Sequence, residues 1–89
     1  MPLANHVYAQ ITVRMACVLA LVAAQHTQEA IAERLDLAPR TVRNDVEHAK
    51  ALAGCESQRE LARWWLENRR GWLLWLMEQV GIDRGEVAG

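Results

Sequence analysis

Eighty-nine residues with a net charge of −1 leave room for one domain and one core. Ten Lys+Arg against eleven Asp+Glu exclude a basic, sequence-blind nucleic-acid binder and an acidic disordered chain, so contact with nucleic acid has to come from a local patch. The 52% apolar content, with four Trp, one Tyr and no Phe, is high for a chain that buries only about 60–65% of its unfolded surface.

In chain order, Asn5 can cap a first helix whose apolar positions Ile11, Met15, Val18 and Val22 fall four, three and four apart. Within it, Arg14 followed by Met15 to Ala24 looks a little like a signal-peptide core. Ten residues are too few to span a bilayer, which takes about 20, and the expectation is a cytoplasmic protein. Thr27 can cap a second, short helix running to about Leu35, and Asp36-Leu37-Ala38 is a tight connection. Pro39 suits the first position of a third helix, where its missing N–H would be unpaired anyway, and Gly54 ends that helix. Ser57-Gln-Arg-Glu60 reads as a full capping box opening a fourth helix to about Val80, closed by Gly81, and 82–89 is a small, frayed tail. Gly71 lies inside the fourth helix at up to about 1 kcal/mol relative to Ala, marking a kink, a break or a close approach of another backbone. With no β-branched runs in view, the chain reads as all-α.

The segment from Gln28 to Ala49 carries the most information. Ile31 and Leu35 form a short apolar stripe, with small Ala32 where two helices cross. Val42, Val46, Ala49 and Ala53 form a second stripe, with Leu52 on its flank. Two short helices whose stripes face one core across so tight a turn make a helix-turn-helix. Glu29-Ala-Ile-Ala-Glu-Arg-Leu-x-Leu-Ala-x-Arg-Thr-Val-Arg-Asn-x-Val46 resembles the helix-turn-helix of LuxR-type response regulators and of sigma-factor region four. The resemblance covers about residues 15–54 and implies a tetrahelical DNA-binding unit whose residues around Thr41 to Asn44 face DNA. Ala38 stands where a capping Ser is usual, removing a contact of about 1 kcal/mol, and Asp45 stands where His is frequent. The 89 residues hold no sensor or receiver domain, so control by a ligand or phosphoryl group is not implied.

The outward side of the third helix presents Arg40, Arg43, Asn44, Glu47 and Lys50 every three or four residues. Arg pairs with guanine, Asn with adenine, and Glu accepts from cytosine in the major groove. Arg40 and Asn44, near the end that enters the groove, are the best base readers, with Thr41 and Glu47 beside them. Arg43 and Lys50 suit phosphates, as do Thr27 and Gln28 at the open N-terminus of the second helix. Residues 39–50 carry Arg40, Arg43 and Lys50 against Asp45 and Glu47, a net of only +1, which expects weak non-specific affinity per chain.

All four tryptophans, Trp64, Trp65, Trp72 and Trp75, lie in the fourth helix. Leu61, Trp65, Asn68, Trp72, Trp75 and Gln79 form one stripe, flanked by a second of Leu66, Leu73, Leu76 and Val80. A body this small leaves one face uncovered. The expectation is a homodimer through Leu61, Trp65, Trp72, Trp75 and Leu76, which would present two recognition helices to a pseudo-palindromic site. The alternatives are a complete intramolecular core folded back at Gly71, or a dock for another regulatory protein with Trp as anchors. A membrane surface is not expected, because the basic residues Arg59, Arg63, Arg69 and Arg70 sit in the N-terminal half of that helix.

Catalysis finds no support. His6, His26 and His48 are scattered, and Cys17 and Cys55 fit no zinc or disulfide spacing and read as buried or half-buried thiols. No cofactor or metal is expected. Residues 5–53 thus read as a helix-turn-helix unit and 57–80 as an oligomerising helix of a dimeric, sequence-specific double-stranded DNA-binding regulator from a bacterium or phage. The alternatives are an adaptor or inhibitor gripping another regulator through Trp72 and Trp75, or a subunit similar to the DNA-recognition component of a phage packaging machine.

Overall fold

A computed structural model describes residues 2–81, and the expected tail at 82–89 lies outside them. Five helices follow in order: α1 (Pro2–Ala9), α2 (Val13–Ala23), α3 (Gln28–Leu35), α4 (Pro39–Ala53) and α5 (Gln58–Gln79). The chain is all-helical over these residues. Helices α2 to α5 are the four expected from the sequence, and α1 is an addition.

That addition corrects the reading of one first helix capped by Asn5, which instead lies inside α1. The break comes at Ile11-Thr12-Val13, three β-branched residues in succession, a run that the apolar period masked. The N–H groups of Gln10 and Ile11 donate to the carbonyls of Val7 and Tyr8, tightening the last turn of α1. Thr12 then caps α2, its hydroxyl accepting from the Met15 N–H at 3.1 Å. In an unbroken helix that N–H would serve the Ile11 carbonyl. Released from it, the Ile11 carbonyl accepts the Trp72 indole N–H at 3.2 Å in a buried setting.

The other helix ends follow local chemistry. Thr27 caps α3, its hydroxyl accepting from the Ala30 N–H. Ala38 gives α4 no side-chain cap, and Pro39 fills the first turn. Helices α2, α3 and α4 all close with a residue in the left-handed region followed by a long return bond. The three residues are Gln25, Asp36 and Gly54, with φ of 71°, 55° and 72°. The return bonds run from the N–H of His26 to Leu21, of Leu37 to Ala32 and of Cys55 to Lys50. The capping box at α5 is modified: Ser57 accepts from the Glu60 N–H, but Glu60 Oε1 accepts from the Glu56 N–H at 2.7 Å instead of the N–H of Ser57.

The core draws Met15, Val18, Leu19 and Val22 from α2, Ile31 from α3, Val42 and Val46 from α4, and Leu61, Trp65 and Trp72 from α5. Burial of that stripe of α5 corrects the expected dimer surface. Leu61 is 0% exposed and Trp65 and Trp72 are 4% exposed, while Trp75 and Leu76 are half-buried against the core. Helices α1 and α2 cover the aromatic stripe, so Leu61, Trp65 and Trp72 are not available to a second chain. What stays outside is Leu66, Leu73, Leu74, Met77 and Val80, each 45–60% exposed.

Helix α5 runs unbroken through Gly71, which settles the role of that glycine. A Cβ there would lie 2.6 Å from Tyr8 Oη and 3.2 Å from Tyr8 Cζ, so the close neighbour is a side chain of α1. The Tyr8 hydroxyl donates to Asn68 Oδ1 at 3.0 Å, and the Asn68 amide donates to the Trp64 carbonyl. Cys17 is exposed, against expectation, because it falls on the side of α2 away from Val18 and Val22. Cys55 is half-buried. No helix among the described residues is long and apolar enough to cross a membrane.

Candidate nucleic-acid interface

Helices α3 and α4 meet across Asp36-Leu37-Ala38, with Asp36 in the left-handed conformation and Leu37 half-buried against the core. The apolar sides of α3 and α4, Ile31 with Ala32 and Val42 with Val46 and Ala49, face inward. Phase then decides the rest: residues between those inward positions point out.

Asp45 is the exception to the charge count. It is buried on α4, where Arg14 of α2 grips it in a two-pronged pair: Nε donates to Oδ2 at 2.9 Å and Nη2 to Oδ1 at 2.8 Å. The hydrogen bond to Asp45, and secondarily its charge, raise the Arg14 pKa above its ordinary value. A raised pKa in the folded state contributes stability that is present below the unfolded value and lost only above it. For an arginine that loss lies in strongly alkaline solution, so this contribution is constant through the neutral range. With Asp45 turned inward, the outer face of α4 carries Arg40, Arg43 and Lys50 against Glu47 alone. The face is more basic than the sequence count of +1 implied.

Arg40, Arg43, Asn44 and Glu47 are exposed on that face, and Thr41 is half-buried at its start. Among the described residues, Arg40, Arg43 and Asn44 engage in no side-chain hydrogen bond or ion pair. Lys50 is half-buried, and its ammonium lies 2.9 Å from Glu47 Oε2. Such a pair is worth about 0.3–0.5 kcal/mol, so a phosphate can draw Lys50 away at small cost.

The second expected cluster, at the start of α3, is tied to α5. Gln28 donates from its amide to Gln58 Oε1 at 3.0 Å, which brings the first turns of α3 and α5 together. Beside them opens a concavity of about 430 Å³, lined by His26, Thr27, Gln58 and Arg59 over Val22 and Ala62. His26 Nδ1 is buried there without a hydrogen-bond partner. The first turns of α3 and α5 and the Arg59 guanidinium converge at this corner, with Glu29 and Glu60 as the acidic residues of the same two turns. Sequence reasoning placed Thr27 and Gln28 here and allowed Arg59 a phosphate contact at the edge of the footprint, but it did not bring Arg59 beside them or find His26, because that juxtaposition depends on how α5 crosses α3. Arg14 was missed too; the signal was a lone charge in an apolar helix, matched by an acidic residue at an otherwise inward phase of α4.

No set of three or more His, Cys, Asp or Glu able to hold a metal ion occurs among the described residues. Burial, and then the charge of Glu60, push the Cys55 thiol up, away from the reactive thiolate. No protein-family model matches the chain, and no curated protein or solved structure matches it significantly.

Proposed function

We propose that the protein is a sequence-specific double-stranded DNA-binding regulator that reads the major groove with α4. The observation that carries the reading is the outer face of α4, where Arg40, Arg43 and Asn44 stand exposed and uncommitted within one turn. Arg40 and Asn44, with Thr41 and Glu47, are assigned to base edges, and Arg43 and Lys50 to phosphates. Thr27 and Gln28 hold the backbone at the start of α3, and Arg59 extends that contact. A two-fold pair of chains would bring two copies of α4 to a pseudo-palindromic site.

Selection of the purified protein on random-sequence duplex DNA, followed by binding at two salt concentrations, tests the reading. The expected result is an enriched palindromic motif with a steep salt dependence. On that motif, Arg40→Ala costs about 1–3 kcal/mol and relaxes one base position, whereas Arg43→Ala weakens all sequences alike and flattens the salt slope. No enrichment, with little binding at low salt, would sink the proposal.

A second reading, an adaptor for another regulatory protein, draws on the exposed Leu73, Leu74, Met77 and Val80. Retention of a distinct partner by the natural chain and not by Leu73→Glu, without DNA selection, is the result that would favour it.

A further inference from the structure

Helix α5 has a second seam, separate from the aromatic stripe buried in the core. Arg63, Leu66, Arg70, Leu73, Met77 and Val80 follow one another at spacings of three, four, three, four and three, and all six are exposed. That alternation is the 3.5-residue repeat of a coiled-coil interface. Leu66 and Leu73 are each 50% exposed, Met77 45% and Val80 60%, on the flank of the stripe formed by Leu61, Trp65 and Trp72, about a third of a turn away. Leu66 lies seven residues before Leu73 and Val80 seven after it, with Arg70 in the first interval and Met77 in the second.

We infer that this seam is an antiparallel contact between two copies of the chain, with Leu73 on the two-fold axis. The inference rests on the two-fold assembly proposed above and specifies its surface and direction. Charge selects both the occupant and the orientation. In a parallel pair Arg63 and Arg70 would each face their own copies across the seam, with Arg59 continuing the repulsion. In the antiparallel pair Leu66 meets the partner's Val80, and Leu73 meets the partner's Leu73. Arg70 lies beside the partner's Met77 and Glu78, near the last turn of α5, whose free carbonyls carry negative partial charge. Arg63 falls beyond the paired section and stays in solvent. Leu74, 54% exposed at the edge of the seam, meets the partner's Leu74. The contact is self-complementary, as an isologous interface requires, and the paired section from Leu66 to Val80 is about 22 Å long.

The test uses the full chain without DNA. Light scattering over a concentration series is expected to approach twice the 10.1 kDa chain mass. Leu73→Glu is expected to return the mass to that of one chain with its helical circular dichroism unchanged. Orientation is read by oxidation in a Cys17→Ser, Cys55→Ser background. Leu73→Cys cross-links to itself, and neither Leu66→Cys nor Val80→Cys does so alone, but a mixture of those two gives the mixed disulfide. Self-cross-linking at Leu66→Cys and at Val80→Cys would overturn the antiparallel arrangement. A mass of one chain at every concentration would overturn the second copy and assign the face to a different protein, even if DNA selection succeeds. A pair with these cross-links but no DNA selection would uphold this inference and reject the reading of α4.

Discussion

Tyr8 rests on Gly71 because nothing larger than hydrogen fits between the phenol and the α5 backbone. A methyl group at Gly71 would gain up to about 1 kcal/mol of helix propensity, but it would also force the ring aside, at the roughly 1–3 kcal/mol typical of overpacking. Gly71→Ala is therefore expected to destabilise the natural chain in urea denaturation. In a Tyr8→Ala background the same change should reverse sign and stabilise by up to about 1 kcal/mol. A stabilising Gly71→Ala in the natural chain would show that Tyr8 moves away freely. From the sequence, Gly71 could be recognised as anomalous but not explained, since its neighbour belongs to another helix. Cys17 failed for a related reason: membership of an apolar helix was read as burial, although phase puts it on the far side.

Among the helices, the Arg14–Asp45 pair joins α2 to α4 and fixes the rotation at which α4 presents its outer residues. Asp45 is 6% exposed, so removing its partner leaves a charge poorly solvated and unmatched. Arg14→Ala is expected to lower the thermal midpoint, and Asp45→Ala added to it should recover part of the loss. Additive losses would mean that the two side chains act independently. Helix ends were largely legible, because a cap is chemistry within three or four residues: Thr27, Pro39, Gly54 and Ser57 mark boundaries where expected. The break between α1 and α2 was not, because the apolar period continues across it while the Ile11 carbonyl turns to Trp72. The outward set of α4 was legible from period alone, whereas the pairing of Asp45 with Arg14 is a tertiary fact.

At the scale of the whole molecule, α5 is shared between two tasks. One side completes the core through Leu61, Trp65 and Trp72, and the other leaves Leu66, Leu73, Met77 and Val80 in solvent. Sequence reasoning saw both stripes and assigned the aromatic one outward. The geometry assigns it inward, because large flat rings fill the space between α1, α2 and α5, with Trp65 and Trp72 centroids 5.8 Å apart. If the outer seam pairs, stability is linked to concentration. Each tenfold rise should add about 0.7 kcal/mol per chain, half of the usual 1.4, and raise the melting temperature by a few degrees at about 4–8 °C per kcal/mol. Leu73→Glu should melt at one temperature throughout the series. The bond from Trp72 to the Ile11 carbonyl sets one more condition, on the timing of synthesis. The ribosome makes α1 and α2 first, yet the side chains that cover them, Leu61, Trp65 and Trp72, are added only after α4 is complete. Until then Met15, Leu19 and Val22 lack their α5 neighbours, so the nascent chain carries exposed apolar surface and folding finishes as α5 emerges.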